Sequence, residues 1–203
     1  MSQLWLANRL ASAPEHNSRQ SAGETRTEMT VASLGTQVSL GASAGRVSTS
    51  TIEAWIINPG AIDGLHTTLQ LSGEAVKTLQ RAIKRKQITG LVGSSHLLTT
   101  SSREIIIVGY GYKPGDGFRP FQNTEIAMMD AIGQAVQVAR SLPDIRHFQV
   151  HAPLATLELV QIAAEAVVLA NHVHEGHGMV KLPEGTGPLE TVNLVMFGGR
   201  EIT

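Results

Sequence analysis

Residues 121–140, FQNTEIAMMDAIGQAVQVAR, form the most strongly patterned stretch of the chain. Ile126, Met129, Ile132, Val136 and Ala139 recur at helical spacing and predict one buried stripe, with Pro143 fixing the end just beyond Arg140. One carboxylate, Glu125, falls in the first turn. The helix dipole favours an acid there whether or not it takes part in chemistry.

Working outward, the element order emerges from changes of periodicity. Upstream, REIIIVGYGY holds a continuous apolar run from Ile105 to Val108, suited to a strand covered on both faces, and Lys113-Pro114-Gly115-Asp116-Gly117 breaks it. Farther back, MTVASLGTQVSLGAS (29–43) and RVSTSTIEAWIIN (46–58) are rich in β-branched residues and read as two strands, the second stopped by Asn58-Pro59-Gly60. A helix over SGEAVKTLQRAIKRK (72–86) follows, capped by Ser72, with Val76, Leu79 and Ile83 on one face, and ITGLVGSS (88–95) then returns to β structure. Downstream, RHFQVHA (146–152) predicts a short strand and LATLELVQIAAEAVVLA (154–170) a largely buried helix. HGMVKL (177–182) predicts the last strand, and PLETVNLVMF (188–197) the last helix.

The whole chain of 203 residues suits one well-filled domain. Residues 1–28 are poor in large apolar groups beyond the first few and predict a flexible tail, so the domain spans 29–203. The tail also has some transit-peptide character, with Arg9, Arg19, several serines and a late first acid, which would address the protein to an organelle. Sixteen basic and seventeen acidic residues leave a net charge of −1, so any affinity for polyanions must be local. With no cysteine, disulfides, thiolate nucleophiles and sulfur-ligated metals are excluded together, which fits the reducing cytoplasm. No apolar run is long enough for a membrane partner.

Early strands followed by helix, strand, helix, strand and helix imply an α/β fold with a mixed sheet. At residues 123–168, with fragments at 29–58 and 179–197, the sequence resembles the ribonuclease H type 1 family. NTEIAMMDAIGQAVQVA carries the likeness, and it puts Glu125 on that family's catalytic glutamate. The resemblance implies a five-stranded mixed sheet with helices on both faces, plus an inserted helix between early strands. It also implies four carboxylates gathered to hold two magnesium ions. Three of the four places are not acidic here: Leu34 stands for the first aspartate, His151 for the third acid, and Asn193 for the last, with Glu190 nearby. A neutral Leu, a His and an Asn do not make an oxygen cage for hard divalent cations. With Glu125, His151 and Asn193 as the residues of the degenerate centre, the resemblance implies a catalytically silent module needing no cofactor. Its partners would be nucleic acid, as RNA or an RNA–DNA hybrid, or a protein assembly.

Two further constellations bear on function. Arg81, Lys84, Arg85 and Lys86 complement the negative end of their helix and also form a compact cationic patch able to engage phosphates. His172, His174 and His177, beside Glu175, are candidate metal ligands in a glycine-bearing loop, though not at a spacing of any strong metal motif. VGYGYKPGDG is glycine-rich but does not open into a helix with a Lys-Ser/Thr pair, so it predicts an exposed loop and not a phosphate cradle. Besides the silent module, two readings stay open: an active magnesium-dependent nuclease whose acids lie in another register, and a small-molecule enzyme or metal protein built on the His172–His177 loop.

Overall fold

The computed structural model describes residues 30–33, 36–41, 52–101, 103–112, 124–172 and 186–197. The expected N-terminal tail, residues 1–28, lies outside them, as does Leu34. Seven strands form one sheet: β1 (Thr30–Ser33), β2 (Thr36–Gly41), β3 (Ile52–Ile57), β4 (Ser95–Thr99), β5 (Glu104–Gly109), β6 (His147–Ala152) and β7 (Thr191–Met196). Their spatial order is β1-β2-β7-β6-β3-β5-β4. The five inner strands run parallel, and β1 and β4 close the two edges antiparallel. Helices α1 (Leu65–Thr68), α2 (Glu74–Lys84), α3 (Thr124–Arg140) and α4 (Leu157–Asn171) complete the fold.

The helices take opposite faces of the sheet. Ala54 and Ile56 of β3, Ile106 and Val108 of β5, Phe148 and Val150 of β6, and Val192 and Leu194 of β7 pack under α3 and α4. The alternate residues Trp55 and Ile57, with Ile105 and Ile107, pack under α1 and α2. That double coverage is why Ile105–Val108 is a continuous apolar run, each fully buried side chain contributing about 1.5–3 kcal/mol. The first turn of α3 holds Glu125, as the sequence indicates, but the buried stripe is rotated from the expected one. Ala127, Met128, Ala131, Ile132, Ala135, Val136 and Ala139 face inward, whereas Ile126 is 49% exposed. The alanines let α3 lie close against Ala163, Ala166 and Val167 of α4, so smallness rather than bulk defines the contact face.

The expected five-stranded ribonuclease H arrangement is not the one formed. The early segments do not make a three-stranded antiparallel meander: β1 and β2 form a hairpin, β2 pairs in parallel with β7, and β3 sits between β5 and β6. What holds of the expectation is the coarser part, an α/β fold with a mixed sheet and helices on both faces; α2 follows β3 and precedes β4. Residues 191–196, expected in a helix, form β7. Their β-branched Thr191, Val192 and Val195 suit the slot between β2 and β6, where both edges of the segment are hydrogen-bonded. Likewise ITGLVGSS is not a strand, apart from a bridge between Leu91 and Gly111. Gly90 and Gly93 adopt φ values of 67° and 81°, which interrupt the segment, and pairing starts at Ser95. HGMVKL falls outside the described residues.

Candidate functional site

Strand direction locates the site. After β3 the chain moves to the side of β4 and β5, and after β6 it moves the opposite way, to β7, although β3 and β6 are neighbours. A parallel sheet opens a crevice at such a switch point, outside the carboxyl ends of the two strands. Here those ends lead into Asn58-Pro59-Gly60 and into Pro153-Leu154-Ala155-Thr156.

One wall is a backbone-to-backbone junction. Asn58 caps the 3-10 turn Pro59–Ala61 through its side-chain oxygen, which accepts from the Ala61 amide at 3.1 Å. Its side-chain amide donates to the Tyr110 hydroxyl at 3.3 Å, and the Tyr110 amide donates to the Ile57 carbonyl at 3.0 Å. Behind the turn, a Cβ on Gly90 would lie 2.6 Å from the Asn58 carbonyl carbon, one on Gly109 would lie 2.2 Å from the Leu91 oxygen, and one on Gly111 would lie 2.2 Å from Pro59. These glycines serve contact between chain segments, and Gly109 and Gly111 belong to a packed strand end, so the expected exposed loop is corrected over Gly109–Gly111. Residues 113–117 lie outside the described part.

The other wall is the start of α4. Thr156 adopts extended geometry, and its hydroxyl accepts from the Leu159 amide at 3.2 Å, which leaves the amides of Leu157 and Glu158 directed out of the helix end. Such amides, together with the helix dipole, favour an anion. Beneath them Leu154 is buried and fixes the loop. Three of the four exposed large apolar residues among those described sit along this same edge: Leu157 at 63%, Ile126 in the first turn of α3, and Val92, whose amide donates to the Gly111 carbonyl. Exposed apolar side chains beside outward helix amides suit a ligand with one apolar and one anionic part.

The amino edge of the sheet is built differently. Glu53 is 5% exposed, and its carboxylate accepts from the Arg103 guanidinium at 2.7 Å; Arg103 also donates to the Leu69 carbonyl. His151 stacks flat on Trp55 with ring centroids 4.0 Å apart. Its Nε2 lies 3.5 Å from the other Glu53 oxygen, a charge contact whose alignment does not make a hydrogen bond, and that nitrogen has no hydrogen-bond partner. A cavity of about 370 Å³ lies beside Arg103, lined also by Ser72, Glu74, Thr78, Thr99 and Ser101.

The residues expected to form a degenerate nuclease centre do not share a site. Glu125 is half-buried at the start of α3, on one face of the sheet. His151 points to the opposite face, against Trp55, and Asn193 is an exposed residue of β7 that accepts from the Ser39 hydroxyl. Glu190 lies in the bend before β7. Arg81, Lys84, Arg85 and Lys86 lie at the end of α2, where Arg81 is 3.0 Å from Glu74. His172 ends α4, while His174 and His177 lie outside the described residues. Among the described residues, no three His, Asp or Glu side chains gather as a metal site. None of their helices is long and apolar enough to cross a membrane. Sequence reading missed Asn58, Thr156 and Leu157, taking NPG only as a strand stop and Ala155-Thr156 as helix. The readable signal was Thr156 three residues before Leu159, a helix cap directly after a buried strand.

No family model matches the chain. No curated protein matches it. Among solved structures, a tomato leucine aminopeptidase variant superposes with a TM-score of 0.57 at 15% identity, over 80% of this chain and 33% of the aminopeptidase. The chain thus spans about a third of that enzyme. A point mutant of the Oceanobacillus iheyensis macrodomain superposes with a TM-score of 0.52 at 12% identity, over 86% of this chain and 88% of the other. The same macrodomain with ADP gives 0.50 at 14% identity, over 86% and 90%. The α/β fold is therefore similar to that of macrodomains, and this likeness replaces the ribonuclease H resemblance. With that resemblance go the functions drawn from it, both the silent nucleic-acid module and the magnesium-dependent nuclease.

Proposed function

We propose that this chain is a ligand-binding module of macrodomain fold whose carboxyl-edge crevice takes a nucleoside diphosphate of the ADP type. The observation that carries the reading is the pairing, at one switch point, of outward amides at the start of α4 with the exposed apolar residues Val92, Ile126 and Leu157. Amides at a helix start suit a diphosphate, and apolar side chains suit the flat face of a base. The likeness to a macrodomain with ADP supports the same ligand class.

The crevice acts through binding. Pro59, Gly90 and Gly111 fix the β3 turn before any ligand arrives, so little ordering cost falls on association. Titration calorimetry with ADP tests the reading. Leu157→Glu adds a carboxylate beside the proposed phosphate position and is expected to weaken ADP at least about tenfold. Leu169→Glu, at the far end of the same helix and 71% exposed, is expected to leave the affinity unchanged. Equal effects of the two changes, or no heat of binding in the unaltered protein, would contradict the assignment.

A further inference from the structure

The geometry points to a ligand whose phosphates extend beyond the diphosphate, with the added groups held by Lys84, Arg85 and Lys86. This deepens the ADP-type reading of the carboxyl-edge crevice and rests on it. The path of α2 supports it. Its start, with Glu74 and Thr78, shares a cavity with Thr99, Ser101 and Arg103 at the amino edge. Beyond its end, Gly90 packs against Asn58 and Pro59, and the Gly111 amide donates to the Gly90 carbonyl, both at the carboxyl edge. The helix thus crosses from one edge to the other and delivers its last charges to the crevice side. Lys86 is four residues from Gly90, so their Cα atoms are at most about 14 Å apart, and a lysine side chain shortens the remaining gap.

Pairing separates these cations from the rest of the helix. Glu74 draws Lys77 to 3.2 Å and Arg81 to 3.0 Å, back toward the amino edge. Lys84, Arg85 and Lys86 are exposed, and among the described residues they make no ion pair. In a chain of net charge −1, three adjacent unneutralised cations exceed what capping one helix requires. Lys86 further holds φ at 57°, a left-handed position that turns the chain toward Gly90. An anion at the start of α4 with more phosphate on the β3 side would meet positive charge at both ends.

Calorimetry in EDTA-containing low-salt buffer would compare ADP with adenosine 5′-tetraphosphate on the full chain. The tetraphosphate is expected to bind about tenfold tighter, with the gap closing in high salt. A triple variant, Lys84→Ala, Arg85→Ala and Lys86→Asn, is expected to bind both about equally and ADP as before; asparagine is chosen because it tolerates the left-handed backbone. Equal affinities in the unaltered protein, or a preference that survives the triple change, would overturn the inference while leaving ADP binding intact. Binding of neither nucleotide would overturn the crevice reading and this inference together.

Discussion

The two edges of the sheet use backbone and charge in opposite ways. At the carboxyl edge, glycine packing fixes the main chain while apolar side chains and helix amides face solvent. At the amino edge, a carboxylate is buried and answered by a guanidinium, and the nearby cavity is walled by hydroxyls. The first arrangement leaves its interaction potential unspent, in keeping with the binding role proposed for it. The second satisfies its charges internally, as a structural edge does. Side-chain changes at the amino edge should therefore alter stability with ADP affinity held, whereas side-chain changes at the carboxyl edge should alter affinity.

The largest effect is expected where the carboxyl edge depends on the absence of a side chain. Gly109→Ala drives a Cβ into the Leu91 and Gly90 backbone and should cost about 3 kcal/mol or more in chemical denaturation, with ADP binding lost. Next, Arg103→Ala strands the Glu53 carboxylate. About 2–3 kcal/mol of stability should go, below the figure for a wholly buried pair because Arg103 is one-third exposed, while ADP affinity stays within about twofold. A loss of binding in that variant would break the division between edges. Thr156→Ala removes the cap of α4 and should cost about 1 kcal/mol, read from the thermal midpoint. Glu158 stands in the same first turn, so Glu158→Gln should tighten ADP about two- to fivefold by removing a like charge. The smallest expected effect lies on edge strand β4, where burial holds the His96 imidazole below its ordinary value of 6.5. The unfolded chain then binds more protons than the folded one between the two values. Stability is thus full above about 6.5 and falls as pH drops below it, and His96→Gln should flatten that slope in denaturant midpoints measured between pH 7 and 5.

Legibility from sequence followed the range of the interactions. The Ile105–Val108 strand, the helix after Asn123 and the helix over 157–171 are encoded by local periodicity, and the structure contains them. Sheet order is not local. Nothing within TVNLVM says that it lies between β2 and β6, and its mixed pattern of Leu, Met and Val reads equally as a helix. The α3 stripe was misplaced because an alanine face looks weakly hydrophobic until α4 packs on it. A wrong topology then assembled Glu125, His151 and Asn193 into one site, although β6 alternation turns His151 away from α3. The crevice was invisible for a related reason: its amides and its glycine contacts belong to the main chain and gain meaning only once β3 and β6 are known to be neighbours.

Ligand is expected to bind at the switch point between β3 and β6. Amide chemical-shift mapping of the 15N-labelled protein during an ADP titration tests this most directly. Binding there should give saturable shifts at Asn58, Gly60, Ala155, Leu157 and Glu158, with Thr99, Ser101 and Arg103 unmoved. Shifts confined to the Thr99–Arg103 edge, or none at millimolar ADP, would contradict it.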